Sequence, residues 1–259
     1  MTSFFKYCPI HSHESLDKEY SLINLFSNQA TFSRRENFND LFDSKVLIKL
    51  PTRDRVRRTY QKLSGESKRT FKQLYMGADA KANFDLLVGK IEGVLDSYLF
   101  YCVTDNPINN LMWSHYANSH NGFCIEWETD SMTLDKVIYQ HQLPTLDLLE
   151  LLESTIGLRT QEEIISQPWA ALKVKLMEWE YEQEYRINLS HKAQSLVVKD
   201  LGKFALVKFQ PEWIKSIIFG YRMPVETRDY LRSKMLEGTT FQEVVISPDN
   251  SGLQLKRLA

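Results

Sequence analysis

Apolar and polar positions along the chain change period repeatedly, from two residues to about 3.6, and each change marks an element. Phe4-Phe5-Lys6-Tyr7 reads as a first strand. Ser15 opens a helix with Leu16, Tyr20, Ile23 and Phe26 at helical spacing, stopped by a left-handed Asn28. Ala30-Thr31-Phe32-Ser33 returns as a strand, and residues 34–43, rich in Asn and Asp, read as a loop. A basic helical stretch at 52–75 breaks near Ser64-Gly65, and a second helix at about 80–97 puts Phe84, Leu87, Val88, Ile91 and Leu95 on one face. Strands are expected at 99–103 and 122–127, with a helical turn or more at 111–117 between them. Residues 144–156 are Leu-rich and helical, and a capping box of Thr160 and Glu163 starts a helix running to about Met177. Residues 179–189 alternate, with Tyr181, Gln183 and Tyr185 on one side and Glu182, Glu184 and Arg186 on the other. Three more strands, at 204–209, 214–220 and 241–246, bracket a helix at 226–236 that Gly238 closes. Strands and helices intermix without a βαβ rhythm, which predicts an α+β fold rather than a doubly wound sheet. We read it as a single domain over 1–259, with a helical insertion at about 51–97.

Composition changes this picture little. The 43% hydrophobic and 25% charged residues are those of an ordinary globular chain, and 12% aromatics supply flat faces for core or ligand. Charge is more informative. Residues 45–72 hold ten basic side chains (Arg53, Arg55, Arg57, Arg58 and Lys62 among them) against Asp54 and Glu66, so this segment is +8 within a chain of net charge -1. Such a patch docks phosphates, or is a solvated helix face. The three cysteines, Cys8, Cys102 and Cys124, lack CxxC spacing and suit a reducing compartment. Neither a signal peptide nor a membrane-length apolar run is read, so a cytoplasmic protein without a membrane partner is expected.

Several chemistries drop out. There is no GxGxxG, GxxxxGK[ST] or GxSxG motif. Cys8-Pro9-Ile10-His11-Ser12-His13 lacks a second half for a metal site, and His115 and His120 are five apart, so no metal is expected. Pro248-Asp249 with Gln254-Leu255-Lys256 mimics a metal-dependent nuclease core but lacks its acid. What remains is the strand carrying Glu182, Glu184 and Arg186. On a solvent-facing edge it is an ordinary charged row; otherwise neighbouring like charges need a cation or a task.

The order of short motifs resembles a known family. Phe5-Lys6-Tyr7 comes first, then Ala30-Thr31-Phe32-Ser33 with Asn37-Phe38-Asn39-Asp40-Leu41-Phe42-Asp43. Leu111-Met112-Trp113-Ser114-His115-Tyr116-Ala117 follows, with His120-Asn121-Gly122-Phe123-Cys124-Ile125. Lys175, Trp179, Tyr181-Glu182, Glu184 and Arg186 are next, and Ile217-Ile218-Phe219-Gly220 is last. This set resembles the bacterial family of domain of unknown function 2971, from about Phe4 to past Gly220. Leu41 stands where that family usually has Pro, and Cys8 where a basic residue is common.

The order of parts is also similar, more remotely, to that of ADP-ribosyltransferases. That resemblance implies a mixed, strongly bent β core flanked by helices, with NAD as substrate. It places Glu184, with Glu182 in reserve, at the reacting ribose. Lys6, Tyr7, Ser33, Asn39, Trp113, His115, Tyr116 and Arg186 would contact the dinucleotide. It implies a toxin or phage-defence effector that modifies nucleic acid, held by Arg53, Arg55, Arg57, Arg58 and Lys62, and restrained by an antitoxin or other neutralising protein. Two other readings stay open: a non-catalytic nucleotide or nucleic-acid-binding module, and an NAD glycohydrolase.

Overall fold

The computed structural model describes residues 3–130, 133–160, 168–189, 191–249 and 251–258. They form two compact units, the first made of Met1–Asn37, Leu99–Val137 and Glu178–Ala259, the second of Phe38–Tyr98 and Ile138–Met177. The helical insertion expected at about 51–97 falls in the second.

An 11-stranded sheet organises the first unit. Its strands are β1 (Ser3–Cys8), β2 (Gln29–Ser33), β3 (Phe100–Thr104), β4 (Phe123–Glu128), β5 (Asp135–Lys136), β6 (Glu184–Asn188), β7 (Val197–Asp200), β8 (Phe204–Lys208), β9 (Ile214–Phe219), β10 (Thr240–Ile246) and β11 (Leu253–Arg257). The main order is β7-β8-β2-β3-β1-β4-β9-β10-β11. β6 pairs along all of β3 on its other edge, and β5 pairs β6. Every pairing is antiparallel except β9 with β10, which are joined by the helix Val225–Lys234. A parallel pair needs such a crossover, so this one helix makes the sheet mixed. The α+β class expected from the alternating periods is therefore found.

β3 forks the sheet. One of its edges meets β2 at Ser33↔Phe100 and β1 at Phe5↔Thr104, while the opposite edge carries β6. One face of the sheet buries Phe4, Tyr101, Val103, Ile125, Trp127, Ile187 and Ile217 in the main core. The other buries Phe5, Tyr7, Cys124 and Ile218 beneath Trp113 of the helix Asn110–Tyr116.

Close backbone packing fixes the loop ahead of β4. Asn118, Ser119 and His120 are all left-handed, at φ 46, 53 and 70°. A Cβ on Gly122 would stand 2.1 Å from the Cys8 carbonyl oxygen, and one on Gly220 would stand 2.2 Å from that of His120. The amide of Gly220 donates to Gly122 O at 2.9 Å, and that of Arg222 to His120 O at 3.0 Å. Two glycines quoted for the family resemblance are thus seats for one backbone crossing.

Second-unit helices span Arg53–Lys62, Gly65–Tyr75, Ala80–Ser97 and Leu148–Thr155. Val56, Leu63, Phe71, Leu149 and Leu152 form their core. Two short parallel pairs accompany them, Leu47–Lys49 with Thr145–Asp147 and Ile138–Gln140 with Val174–Leu176. The helix expected to reach Met177 stops short, because Val174–Leu176 is a strand; its capping box at 160–163 lies largely outside the described residues. Lys175 on that strand meets Asp43 at 3.1 Å, both almost sealed from solvent, and Ser44 donates to Asp43 at 3.0 Å.

Candidate functional site

The charged row expected as one regular strand is broken in two. Met177–Glu182 is a 3-10 segment, Gln183 is left-handed at φ 48°, and β6 begins only at Glu184. Glu182 therefore does not continue the alternation of Glu184 and Arg186. All three are nonetheless buried, with Arg186 at 0% exposure. A solvent-facing charged row is thereby excluded, and a buried charge must be paired.

Alternation along β6 separates two roles. Tyr185 and Ile187 pack on the main core, so Glu184 and Arg186 face the opposite side. Arg186 Nε donates to Glu184 Oε1 at 2.7 Å and Nη2 to Oε2 at 3.4 Å, with the guanidinium carbon 5.5 Å from the Phe100 ring centre. Cys102 lies opposite Arg186 in the ladder, and Thr104 opposite Glu184. Lys6 reaches this place from β1, donating to Cys102 O at 2.9 Å. Burial pushes the Cys102 thiol well up and the Glu184 carboxylate adds to it, while Arg186 and Lys6 pull the other way. The thiol is therefore a protonated filler, not a nucleophile.

Glu182 has a different setting. Both ends of the helix Asn110–Tyr116 brace its segment, at the adjacent residues Tyr181 and Glu182. At the helix start, Asn109 Oδ1 caps the amides of Leu111 and Met112, while its Nδ2 donates to Tyr181 O at 2.5 Å. At the helix end, Tyr116 Oη donates to Glu182 Oε1 at 2.5 Å. A row of partly exposed rings continues from the Tyr116 that holds this carboxylate: His115 and Tyr116 have centres 6.4 Å apart, Tyr181 and His115 6.2 Å, and Trp179 and Tyr181 6.0 Å.

Tyr7 and Trp113, read from the sequence as ring walls, lie beneath this ledge. They meet edge to face with centres 5.0 Å apart. Tyr7 Oη donates to Asn106 O and Trp113 Nε1 to Pro107 O, each at 2.8 Å. Burial drives the Tyr7 phenol far above its ordinary range, so it stays protonated. Tyr7 supports the helix from below through Trp113, the ring that the helix turns inward.

Lys6 lies on the Phe4 face of β1 with its amine 5.1 Å from the Tyr101 ring centre, whereas Tyr7, Trp113, His115, Tyr116, Glu182, Glu184 and Arg186 are gathered by β1, the helix Asn110–Tyr116, the 3-10 segment and β6. Ser33 is not among them. It opposes Phe100, four residues along β3 from the Thr104 that opposes Glu184, about 13 Å at strand rise. Its hydroxyl accepts from Asn37 Nδ2 at 3.3 Å. Asn39 belongs to the second unit, where it is exposed. Arg53, Arg57, Arg58 and Lys62 are exposed on the helix Arg53–Lys62, whereas Arg55 is drawn in against Asp147, with contacts of 2.5 and 3.1 Å. The sequence reading missed Tyr181 and Asn109 as parts of the ledge, and Cys102 as the neighbour of Arg186. Asn109 carried a signal, since it precedes a helical run as a cap does.

Residues 112–187 match the model of a family described as Protein of unknown function (DUF2971). The match takes in the helix Asn110–Tyr116 from Met112 on and ends inside β6, so it spans the ledge, both carboxylates and Arg186. No curated protein and no solved structure matches the chain. The family description names no reaction, and chemistry has to be argued from the residues.

Proposed function

We propose that this chain is an NAD-dependent ADP-ribosyltransferase with a nucleic-acid acceptor, and that Glu182 is the carboxylate facing the reacting ribose. One observation carries the reading: a desolvated carboxylate, gripped by a phenol, lies beside a ledge of four partly exposed rings. Rings stack the nicotinamide, whose cationic form favours aromatic faces and a nearby negative charge. Heterolysis of the ribose C1′–N bond sends the electron pair to nicotinamide and leaves an oxocarbenium-like ribose. A preorganised carboxylate stabilises that developing charge. The acceptor nucleophile then bonds to C1′ and loses its proton.

This reading exchanges the order of the two carboxylates. Both oxygens of Glu184 accept from Arg186, so its part is to hold β6 and Arg186 in place. Exposed His115 is a hydrogen-bond donor within reach of a diphosphate resting on the ledge. Toxicity, and a neutralising partner that restrains it, follow from modification of nucleic acid.

Labelled NAD incubated with the purified chain and total RNA, DNA or cell extract tests the proposal. Nicotinamide release and label on a macromolecule are expected, and Glu182→Gln should lower both roughly 10²–10³-fold while leaving NAD binding in place. Release without label on any acceptor would make the protein a glycohydrolase. Equal, null behaviour of the wild type and Glu182→Gln would leave only a binding module.

A further inference from the structure

The second unit holds a cleft of about 870 Å³, within the roughly 300–1,000 Å³ typical of small-molecule sites. Its walls are two short strands, Ile138–Gln140 and Thr145–Asp147, the turn between them, and Ala170, Ala171 and Val174. Leu143, Leu146 and Val174 give it apolar surface, while Gln140, His141, Gln142 and Thr145 bring donors and acceptors. Two carboxylates on the lining are each met by an arginine. Asp147 takes the two contacts from Arg55, and Glu150 lies 3.2 Å from Arg159. The wall is therefore not a trap for cations.

The Arg55–Asp147 contact joins this cleft to the basic helix. Arg55 is on Arg53–Lys62, whose Arg53, Arg57, Arg58 and Lys62 are exposed, and Lys68, Arg69 and Lys72 follow on Gly65–Tyr75. A cleft roomy enough for a base, with the Gln140 amide, which also donates to Gln142 O at 2.5 Å, and the Gln142 amide on its wall, and a flank of cations match the two halves of a nucleotide, base and phosphate. We propose that the second unit binds single-stranded nucleic acid, with phosphates on the Arg53–Lys62 helix and an unstacked base in the cleft beside Gln140 and Gln142. This deepens the transferase reading by naming the form of its acceptor. A single strand is chosen because a base has to leave its stack to enter a cleft, and duplex geometry withholds it.

Binding of labelled single-stranded RNA, single-stranded DNA and the matching duplexes to the full chain, without NAD, tests the inference. Single strands of one or both sugars should bind more tightly than either duplex. Arg53, Arg57 and Arg58 together changed to Glu should weaken binding at least tenfold and flatten its salt dependence. Leu143→Trp, which sets a bulky ring on the cleft wall, should weaken single-strand binding with the salt slope retained. Circular dichroism and melting curves confirm that both variants stay folded. Ultraviolet cross-linking should label the peptide spanning 138–150. Duplex binding equal to single-strand binding, cross-links elsewhere, or no loss in either variant would overturn it. NAD binding by the full chain is measured separately, without nucleic acid, so failure here and failure of the transferase reading are told apart.

Discussion

At the residue scale, Gln183 divides two carboxylates that a regular strand would have placed alike. Its left-handed backbone turns the chain, so Glu182 faces Tyr116 and Glu184 faces Arg186. The two substitutions should then differ in kind. Glu184→Ala removes one partner of a buried ion pair, a change that typically costs about 3–5 kcal/mol, and should lower the melting temperature. Glu182→Gln keeps a hydrogen-bond acceptor for Tyr116 and should lower the melting temperature less. Thermal melts of both variants check this; equal melting losses would place Glu182 in the scaffold. Gly122→Ala presses a Cβ into the Cys8 carbonyl and should destabilise at least as much as ordinary core overpacking, roughly 1–3 kcal/mol, measured by urea titration.

At the element scale, the helix Asn110–Tyr116 does most to position the site. Its N-cap Asn109 and its last residue Tyr116 hold two adjacent residues, Tyr181 and Glu182, some 70 positions later in the chain. Asn109→Ala loses a cap, worth about 0.5–2 kcal/mol, and also releases the Tyr181 carbonyl. A variant that restores capping, Asn109→Asp, should recover stability but not the donor to Tyr181. Activity on NAD should stay reduced in both variants, and full activity in Asn109→Asp would show that the brace is dispensable. The left-handed run from Asn118 to His120 ends this element under strain and is held by the Gly122–Gly220 crossing.

At the scale of the whole molecule, stability should fall in two steps as the pH is lowered. Burial lowers His13, against a smaller upward pull from Glu19, and burial with the Arg222 charge lowers His120, both below the ordinary 6.5. A depressed folded value means that the unfolded chain takes the proton first, so stability falls as pH drops through and below about 6.5. Burial raises Asp147, Glu153 and Glu243, but hydrogen bonds from Arg55 to the first, from Thr59 and Arg159 to the second, and from Arg228 and Lys256 to the third outweigh it. Their net lowering from 3.8 and 4.5 adds a second loss below about pH 4.5, with the same sign. Urea midpoints measured from pH 8 to 3 should show both losses. His120→Gln should shrink the first, and a flat profile between pH 7 and 5.5 would contradict the histidine account.

Periodicity and local chemistry alone determined a good part of this protein. The helices near 53–75 and 80–97, β1, β2, β4, β8, β9 and β10 all follow from spacing that each segment carries within itself, whereas the helix expected to run to 236 and close at Gly238 ends at Lys234, where Met235 is extended. Misjudged elements depended on partners. Leu22 and Leu25 face the core in the helix Tyr20–Phe26, whereas Tyr20 is 80% exposed, because a short 3-10 turn precedes the helix and shifts its phase. Asp135–Lys136, Leu47–Lys49 and Val197–Asp200 are strands only because a neighbour offers a ladder, and their own residues show little alternation. The sequence singled out Glu182, Glu184, Arg186, Tyr116 and Lys6 by type and order. That the first two face different partners, that Tyr7 and Trp113 lie under the ledge, and that Arg55 belongs to Asp147 are tertiary facts. Burial and pairing arise from residues far apart in the chain, and no local pattern encodes them.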